Sequence, residues 1–329
     1  MTMKTKILIC LGALLGIAAV KTQFELPLAK VTVRVLDEAQ QPVAGANVTL
    51  GFKNHLTSED IFVRGQTDAD GQFTGEGGNG PAGLGGEITL DGYYRSGAPI
   101  PKFYEIDALN HWKPWNATYT TTLRSIGKPV ALYAKILRKL EIPALGQQCG
   151  YDLEKGDWVA PWGKGQTADF IFKATRDYRD WFNFTVEAEL KFAQSKDGLL
   201  RMSWAEAGKH SVFHWERSAP ETGYVNAHLI RFINRDPRSG ESSTLTFDPS
   251  EKDKGYFFRV HTMGKDGRII AANYGKIIGD IGIEARETKT CLVYFTYYLN
   301  PTMLDRNLEW DTTKNLIPDL KLEETPREP

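Results

Sequence analysis

The chain is short of cysteine, with three in 329 residues, at Cys10, Cys149 and Cys291. That excludes a disulfide-dense scaffold and the paired cysteine spacings of a structural zinc module. No Gly-x-Ser-x-Gly turn occurs, and no His is followed three residues later by Glu. The strained serine elbow and the zinc-peptidase pair, two local signatures of hydrolytic chemistry, are therefore missing. Nor is there an excess of one charge: 40 basic residues stand against 41 acidic, and no basic stripe marks a nucleic-acid partner. Heptads and long helical periods are absent too, so the regular structure must come from strands.

The single long apolar run lies at the start. Lys4 and Lys6 precede Ile7 to Val20, with Gly16, Ala18 and Ala19 near its end. This is the layout of a secretory signal peptide, expected at residues 1–19, with an uncleaved anchor as the alternative. The run is too short for a confident membrane span, which takes about 20 residues. Cys10 lacks the small preceding residue of a lipoprotein acceptor. Cleavage after Ala18 leaves 38 basic and 41 acidic residues, a net charge of −3, on a protein expected in the periplasm or outside the cell with no membrane span. Only Cys149 and Cys291 then remain. In an oxidising compartment they form either one bridge, stabilising by roughly 4 to 5 kcal/mol in the chain-entropy model, or two separate thiols.

What is present is alternation. Val31, Val33 and Val35 point one way, Thr32 and Arg34 the other, and Val48, Leu50 and Phe52 repeat the period after a turn. The turn is Pro42-Val43-Ala44-Gly45-Ala46, and a third strand follows Thr67-Asp68-Ala69-Asp70-Gly71-Gln72-Phe73. With these two motifs, residues 30–137 resemble the carboxypeptidase regulatory-like domain, a transthyretin- and immunoglobulin-like β-sandwich. The resemblance implies a fold and brings no peptidase activity, because the zinc ligands of the companion catalytic domain are absent.

A glycine-rich loop, Gly75 to Gly86, leads to the strand Glu87-Ile88-Thr89-Leu90 rather than to a helix, so it does not read as a phosphate cradle. Further strands are expected around Tyr119, Thr121 and Leu123, and at Val130, Leu132, Ala134 and Ile136. A boundary near Ile142-Pro143 follows, with a second β domain at 144–310. Its clearest strand is Phe182 to Phe192, where apolar and polar residues alternate throughout. Asp-Gly turns at Asp197-Gly198 and Asp266-Gly267 mark hairpins, and Cys291 to Tyr298 adds a strand. The fold class is all-β: an immunoglobulin/transthyretin-like sandwich followed by a larger antiparallel sandwich or jelly roll. Gly150 to Gly165 and Ala272 to Asp280 are similar to stretches in uncharacterised exported bacterial proteins. The tail at 311–329 is acidic and proline-containing, expected disordered or laid on the surface.

Candidate chemistry is sparse. Asp68-Ala69-Asp70-Gly71 opens like a calcium loop, but the later oxygen ligands do not follow. His210 and His214 stand four apart without the helical context of a zinc hydrolase, and His228 and His261 lie far along the chain. Glu187 and Glu189 fall on the wet face of the alternating strand. The remaining feature is aromatic: Trp112 and Trp115 in the first half, and Tyr151, Trp158 and Trp162 in the glycine-rich opening of the second. Such rings either stack on sugars, with Asp152, Glu154 and Asp157 accepting hydroxyl hydrogens, or plug the domain junction and the open ends of the sandwiches. The leading expectation is an exported non-enzymatic protein, without cofactor, that binds or scaffolds in the envelope; its partner is an envelope protein or a polysaccharide. Carbohydrate binding through the tryptophans is the alternative, and a hydrolase whose carboxylates meet only in the fold is the next.

Overall fold

The computed structural model describes residues 26–54, 60–81, 84–98, 102–205, 208–247, 254–285 and 289–329; the expected leader lies outside them. The chain divides into two compact units, residues 1–125 and 126–329. Among the described residues the regular structure is almost entirely strand, with short 3-10 turns such as Pro237–Ser239 and Leu322–Glu324. The protein is all-β.

In the first unit Leu28–Leu36 pairs antiparallel with Gln72–Gly78 and parallel with Ala117–Thr122. A second sheet runs in the order Ile61–Gln66, Asn47–Phe52, Leu84–Thr89, Ser96–Gly97. Val31, Val33 and Val35 from one sheet and Val48, Leu50, Phe52 and Ile88 from the other are buried in one core, as the period of two requires. The two sequence motifs prove to be halves of one corner. The buried Thr67 hydroxyl donates to the Val43 carbonyl at 2.6 Å and accepts from the Ala46 N–H at 2.9 Å, while the Gly45 N–H donates to the Thr67 carbonyl at 2.9 Å. Asp68 spends its carboxylate on the turn, accepting the N–H groups of Asp70 at 3.0 Å and Gln72 at 2.8 Å. Gly71 closes it at φ +72°, where a Cβ would stand 2.5 Å from the Val35 carbonyl oxygen.

The second unit has two six-stranded sheets. One has the order Gly198–Ser203, Lys254–Lys265, Arg268–Glu284, Leu292–Leu299, Val130–Glu141, Trp310–Asn315. The other has Asp157–Trp158, Gln148–Asp152, Phe170–Tyr178, Phe184–Lys191, Ala227–Asn234, Thr244–Leu245. Phe184, Val186, Ala188 and Leu190 are buried and their neighbours are not, so the alternation of the central strand becomes the face of a sandwich. Phe170 meets Phe258 and Phe295 of the opposite sheet at centroid distances of 5.3 and 5.9 Å. Ring edges against ring faces fill the space between the layers.

The expected domain boundary is corrected. The strand Val130–Glu141 does not close the first domain; it lies inside a sheet of the second, antiparallel to Leu292–Leu299 and parallel to Trp310–Asn315. The boundary accordingly falls at Ser125–Ile126 rather than near Pro143. Of the two expectations for the segment after 310, the second holds: Trp310–Asn315 is a strand, and the rest is laid on its own unit, with Tyr298 donating to the Glu328 carbonyl at 2.9 Å and Lys135 paired to Glu324 at 3.2 Å. Cys149 and Cys291 are buried and unbonded. Cys149 belongs to one layer and Cys291 leads a strand of the other, and each thiol faces a carbonyl, of Ala144 at 3.7 Å and of Thr175 at 3.6 Å.

Because Val130–Glu141 finds its partners in the second unit, a fragment of residues 26–125 is expected to melt cooperatively, at the same temperature as one extended to residue 137. Calorimetry of the two checks this. A folded long fragment beside an unfolded short one would return the strand to the first unit.

Candidate binding surface

In the first unit the chain from 102 to 116 forms a short hairpin, Glu105–Ile106 paired with Trp112–Lys113. Asp107 holds its turn. The carboxylate Oδ1 accepts the N–H groups of Leu109 at 2.9 Å and His111 at 3.0 Å, while Asn110 takes φ +62° and donates its N–H to the Asp107 carbonyl. The His111 N–H holds the Asp107 carboxyl below the usual carboxylate range. The hairpin is anchored at its base. The Trp112 indole N–H donates to the Asn79 carbonyl at 2.7 Å, its ring packs beside Phe103, and the Leu28 N–H donates to the Asn110 carbonyl at 2.9 Å.

Outward from that base stand large apolar side chains. Tyr104 is 72% exposed, Leu109 73%, and Ile106 and Trp115 are also exposed. Trp115 stacks on His111, centroids 4.0 Å apart and 16° from parallel, with the Lys30 ammonium 5.8 Å from its ring. Of the two expected tryptophans here, Trp112 fastens the hairpin and Trp115 is displayed on it. Tyr104 and Leu109 were missed, because an exposed apolar residue is not distinguishable from a buried one by type.

The other three aromatics are not assembled into a platform. Tyr151 is fully buried and Trp158 nearly so, edge-to-face at 5.3 Å, with Trp158 also against Phe172; Trp162 is exposed without them. Tyr151 and Trp158 belong to the hydrophobic core of the second unit, and Trp162 does not. The neighbouring carboxylates brace the loop. Asp152 accepts four backbone N–H groups, from Glu154, Lys155, Gln166 and Thr167, and Asp157 accepts those of Trp158 and Lys164. A glycine-rich composition suggested an exposed loop; pairing of Gln148–Asp152 with Phe170–Tyr178 instead turns Tyr151 inward. Trp158→Ala is expected to destabilise by about 3 to 5 kcal/mol, the cost of emptying a large aromatic site. Trp162→Ala should leave denaturant unfolding nearly unchanged.

The histidines each have their own setting. His214 stacks on Trp204 at 3.9 Å, and His228, its pKa lowered by burial, lies 3.4 Å from the Tyr256 hydroxyl. That hydroxyl donates to the buried Asp280 at 2.5 Å and accepts from Arg201 at 2.9 Å. Glu187 pairs with Arg231, and Glu189 with Lys191 at 2.9 Å, leaving each acid beside a base rather than beside another acid.

His261 is the most constrained. It takes φ +57° in a bulge of Lys254–Lys265, with Nε2 2.5 Å from the Asp169 carboxylate and Nδ1 3.1 Å from the Asn273 side-chain oxygen. The Asn273 amide donates to the carbonyls of Asn300 at 3.1 Å and Pro301 at 2.8 Å, which fixes its oxygen toward the ring. Two acceptors require both ring nitrogens to carry hydrogen, so the imidazole is held as a cation. The hydrogen bond to Asp169 accordingly raises its pKa to about 9. No nitrogen is left to take a proton, and the pair ties the two layers together instead of acting as a base.

A pKa raised from about 6.5 in the unfolded chain means that this stabilisation is fully present below pH about 6.5 and is lost as pH rises through about 9. The melting temperature should fall between pH 7 and 10 by more in the parent than in His261→Gln. Parallel thermal melts across that range check it; equal falls would show that the imidazolium contributes nothing.

No protein-family model matches the chain, and no curated protein matches it. Among solved structures it is similar to 3-chlorocatechol 1,2-dioxygenase from Rhodococcus opacus 1CP, at 16% identity and TM-score 0.24, over 32% of this chain and 62% of that one. It is also similar to the shaft pilin SpaA from Lactobacillus rhamnosus GG, at 11% identity and TM-score 0.21, over 85% and 94%. A third is BcpA, the major pilin subunit of Bacillus cereus, at 10% identity and TM-score 0.22, over 91% and 99%. The chain spans about three fifths of the length of the dioxygenases it matches. At these scores the likenesses carry no argument, and the sandwich assignment rests on the sheets described above.

Proposed function

We propose that this is an exported, non-enzymatic β protein that binds or scaffolds in the envelope, with the hairpin at 102–116 as its contact surface. The carrying observation is the display of Tyr104, Ile106, Leu109 and Trp115 on a turn braced by Asp107 and pinned by Trp112. Apolar groups held in water on a rigid support bind at small entropic cost, because the surface is already ordered. Aliphatic Ile106 and Leu109 beside the rings favour a protein partner over a polysaccharide, whose recognition uses ring faces and hydroxyl partners.

The export reading rests on Lys4, Lys6 and the apolar run to Val20. Among the described residues no helix is long and apolar enough to cross a membrane. The carboxypeptidase regulatory-like reading of the first unit is supported by the corner that joins Thr67 to Val43, Gly45 and Ala46. In that role the first unit makes the contact and the second is the body that it carries.

The triple variant Tyr104→Ser, Leu109→Ser, Trp115→Ser is expected to keep the parent melting temperature and to lose at least tenfold in binding to an envelope fraction from the parent cell, about 1.4 kcal/mol. Immobilised protein and quantified retention check it. Undiminished retention at equal stability would remove the hairpin from the interface.

A further inference from the structure

A second site lies in the second unit, at the turn between Phe170–Tyr178 and Phe184–Lys191. Asp180 shapes the turn, accepting the N–H groups of Phe182 at 2.8 Å and Asn183 at 2.9 Å, while the Arg179 N–H donates to the Asn183 carbonyl at 3.0 Å. Asn234 donates to the Trp181 carbonyl at 2.9 Å from the adjoining strand. Trp181 and Phe182 are left exposed side by side at the tip.

Beneath the turn is a cavity of about 310 Å³ lined by Asp177, Arg179, Asn183, Arg235, Ser239 and Glu241. Arg235 is committed: it pairs with Glu241 at 3.0 Å and donates to the Phe184 and Asn234 carbonyls. Asn183 donates to Asp180, and Ser239 to the Asp236 carbonyl. The side chains of Asp177 and Arg179 make no hydrogen bond or ion pair among the described residues and face the same cavity. Two carboxylates and two guanidiniums balance, so neither an anion nor a cation gains from the net charge of the lining.

We infer that this cavity binds a neutral polyhydroxylated ligand, a pyranose sugar unit. Neighbouring hydroxyls on a ring supply what the two uncommitted groups need: one donates to the Asp177 carboxylate and the next accepts from the Arg179 guanidinium. The exposed Trp181 and Phe182 rings at the same turn offer faces for the C–H side of the sugar. The volume lies at the lower end of the range for small-molecule sites. This inference is independent of the hairpin, which belongs to the other unit.

The test uses the full chain and NMR titration with methyl glucoside, methyl galactoside and N-acetylglucosamine, alongside glycine as a zwitterion and inorganic phosphate as an anion. At least one neutral sugar should bind in the millimolar range. Asp177→Ala and Arg179→Ala should each weaken it about tenfold or more, as should Trp181→Ala, with the melting temperature of the first two unchanged because both side chains are unengaged and exposed. Binding of no sugar, binding indifferent to Asp177 and Arg179, or preference of the same residues for glycine or phosphate would each overturn the inference. Sugar binding should be unaffected by Trp115→Ser, so that failure here and failure of the hairpin reading are separately visible.

Discussion

The second unit depends on one buried carboxylate. Asp169 has a side chain without solvent exposure; one oxygen accepts the Leu153 N–H at 2.8 Å and the other meets His261 from the facing layer. Aromatic burial between sheets is strong but not directional, and many offsets of one layer over the other would bury similar area. A buried charge admits far fewer arrangements, since it is costly unless paired and hydrogen-bonded. His261 accepts a left-handed backbone to reach it, and Asn273 is locked by two carbonyls to complete the set. Layer register is thus fixed by a few polar atoms inside a core that is otherwise apolar.

What could be read in advance followed from local period and turn chemistry. Val31 to Val35 and Phe184 to Leu190 show their burial directly, because adjacent side chains in a strand face opposite ways. Thr67 and Gly45 could be recognised as turn residues, although not that they bond to each other. The strand at Val130 was visible as a strand and assigned to the wrong body, since pairing with a segment more than 150 residues away leaves no local mark. Which of the two readings holds for Tyr151 and Trp158 was not legible for a related reason: the glycines around them described the loop, while Asp152 and the neighbouring strand decided where the rings pointed.

The two candidate surfaces use the same device in different chemistry. An aspartate at the head of a tight turn, Asp107 in one unit and Asp180 in the other, gathers backbone N–H groups and leaves the following large side chains outside. At 102–116 the displayed groups are mainly apolar. At 177–184 they are two exposed rings on a turn whose neighbours Asp177, Arg179 and Asn183 line a hollow. Turn geometry that strands would adopt anyway is thereby made to hold rings in water, where the core cannot claim them.

The pairing of Val130–Glu141 has a consequence for the order in which the chain acquires structure. Asn315 both donates to the Ala134 carbonyl and accepts its N–H, across a separation of 181 residues. A strand that must wait for a partner so far along pays its loop-closure entropy late, which slows folding. The second unit therefore cannot complete its sheet until nearly all of its sequence has been made.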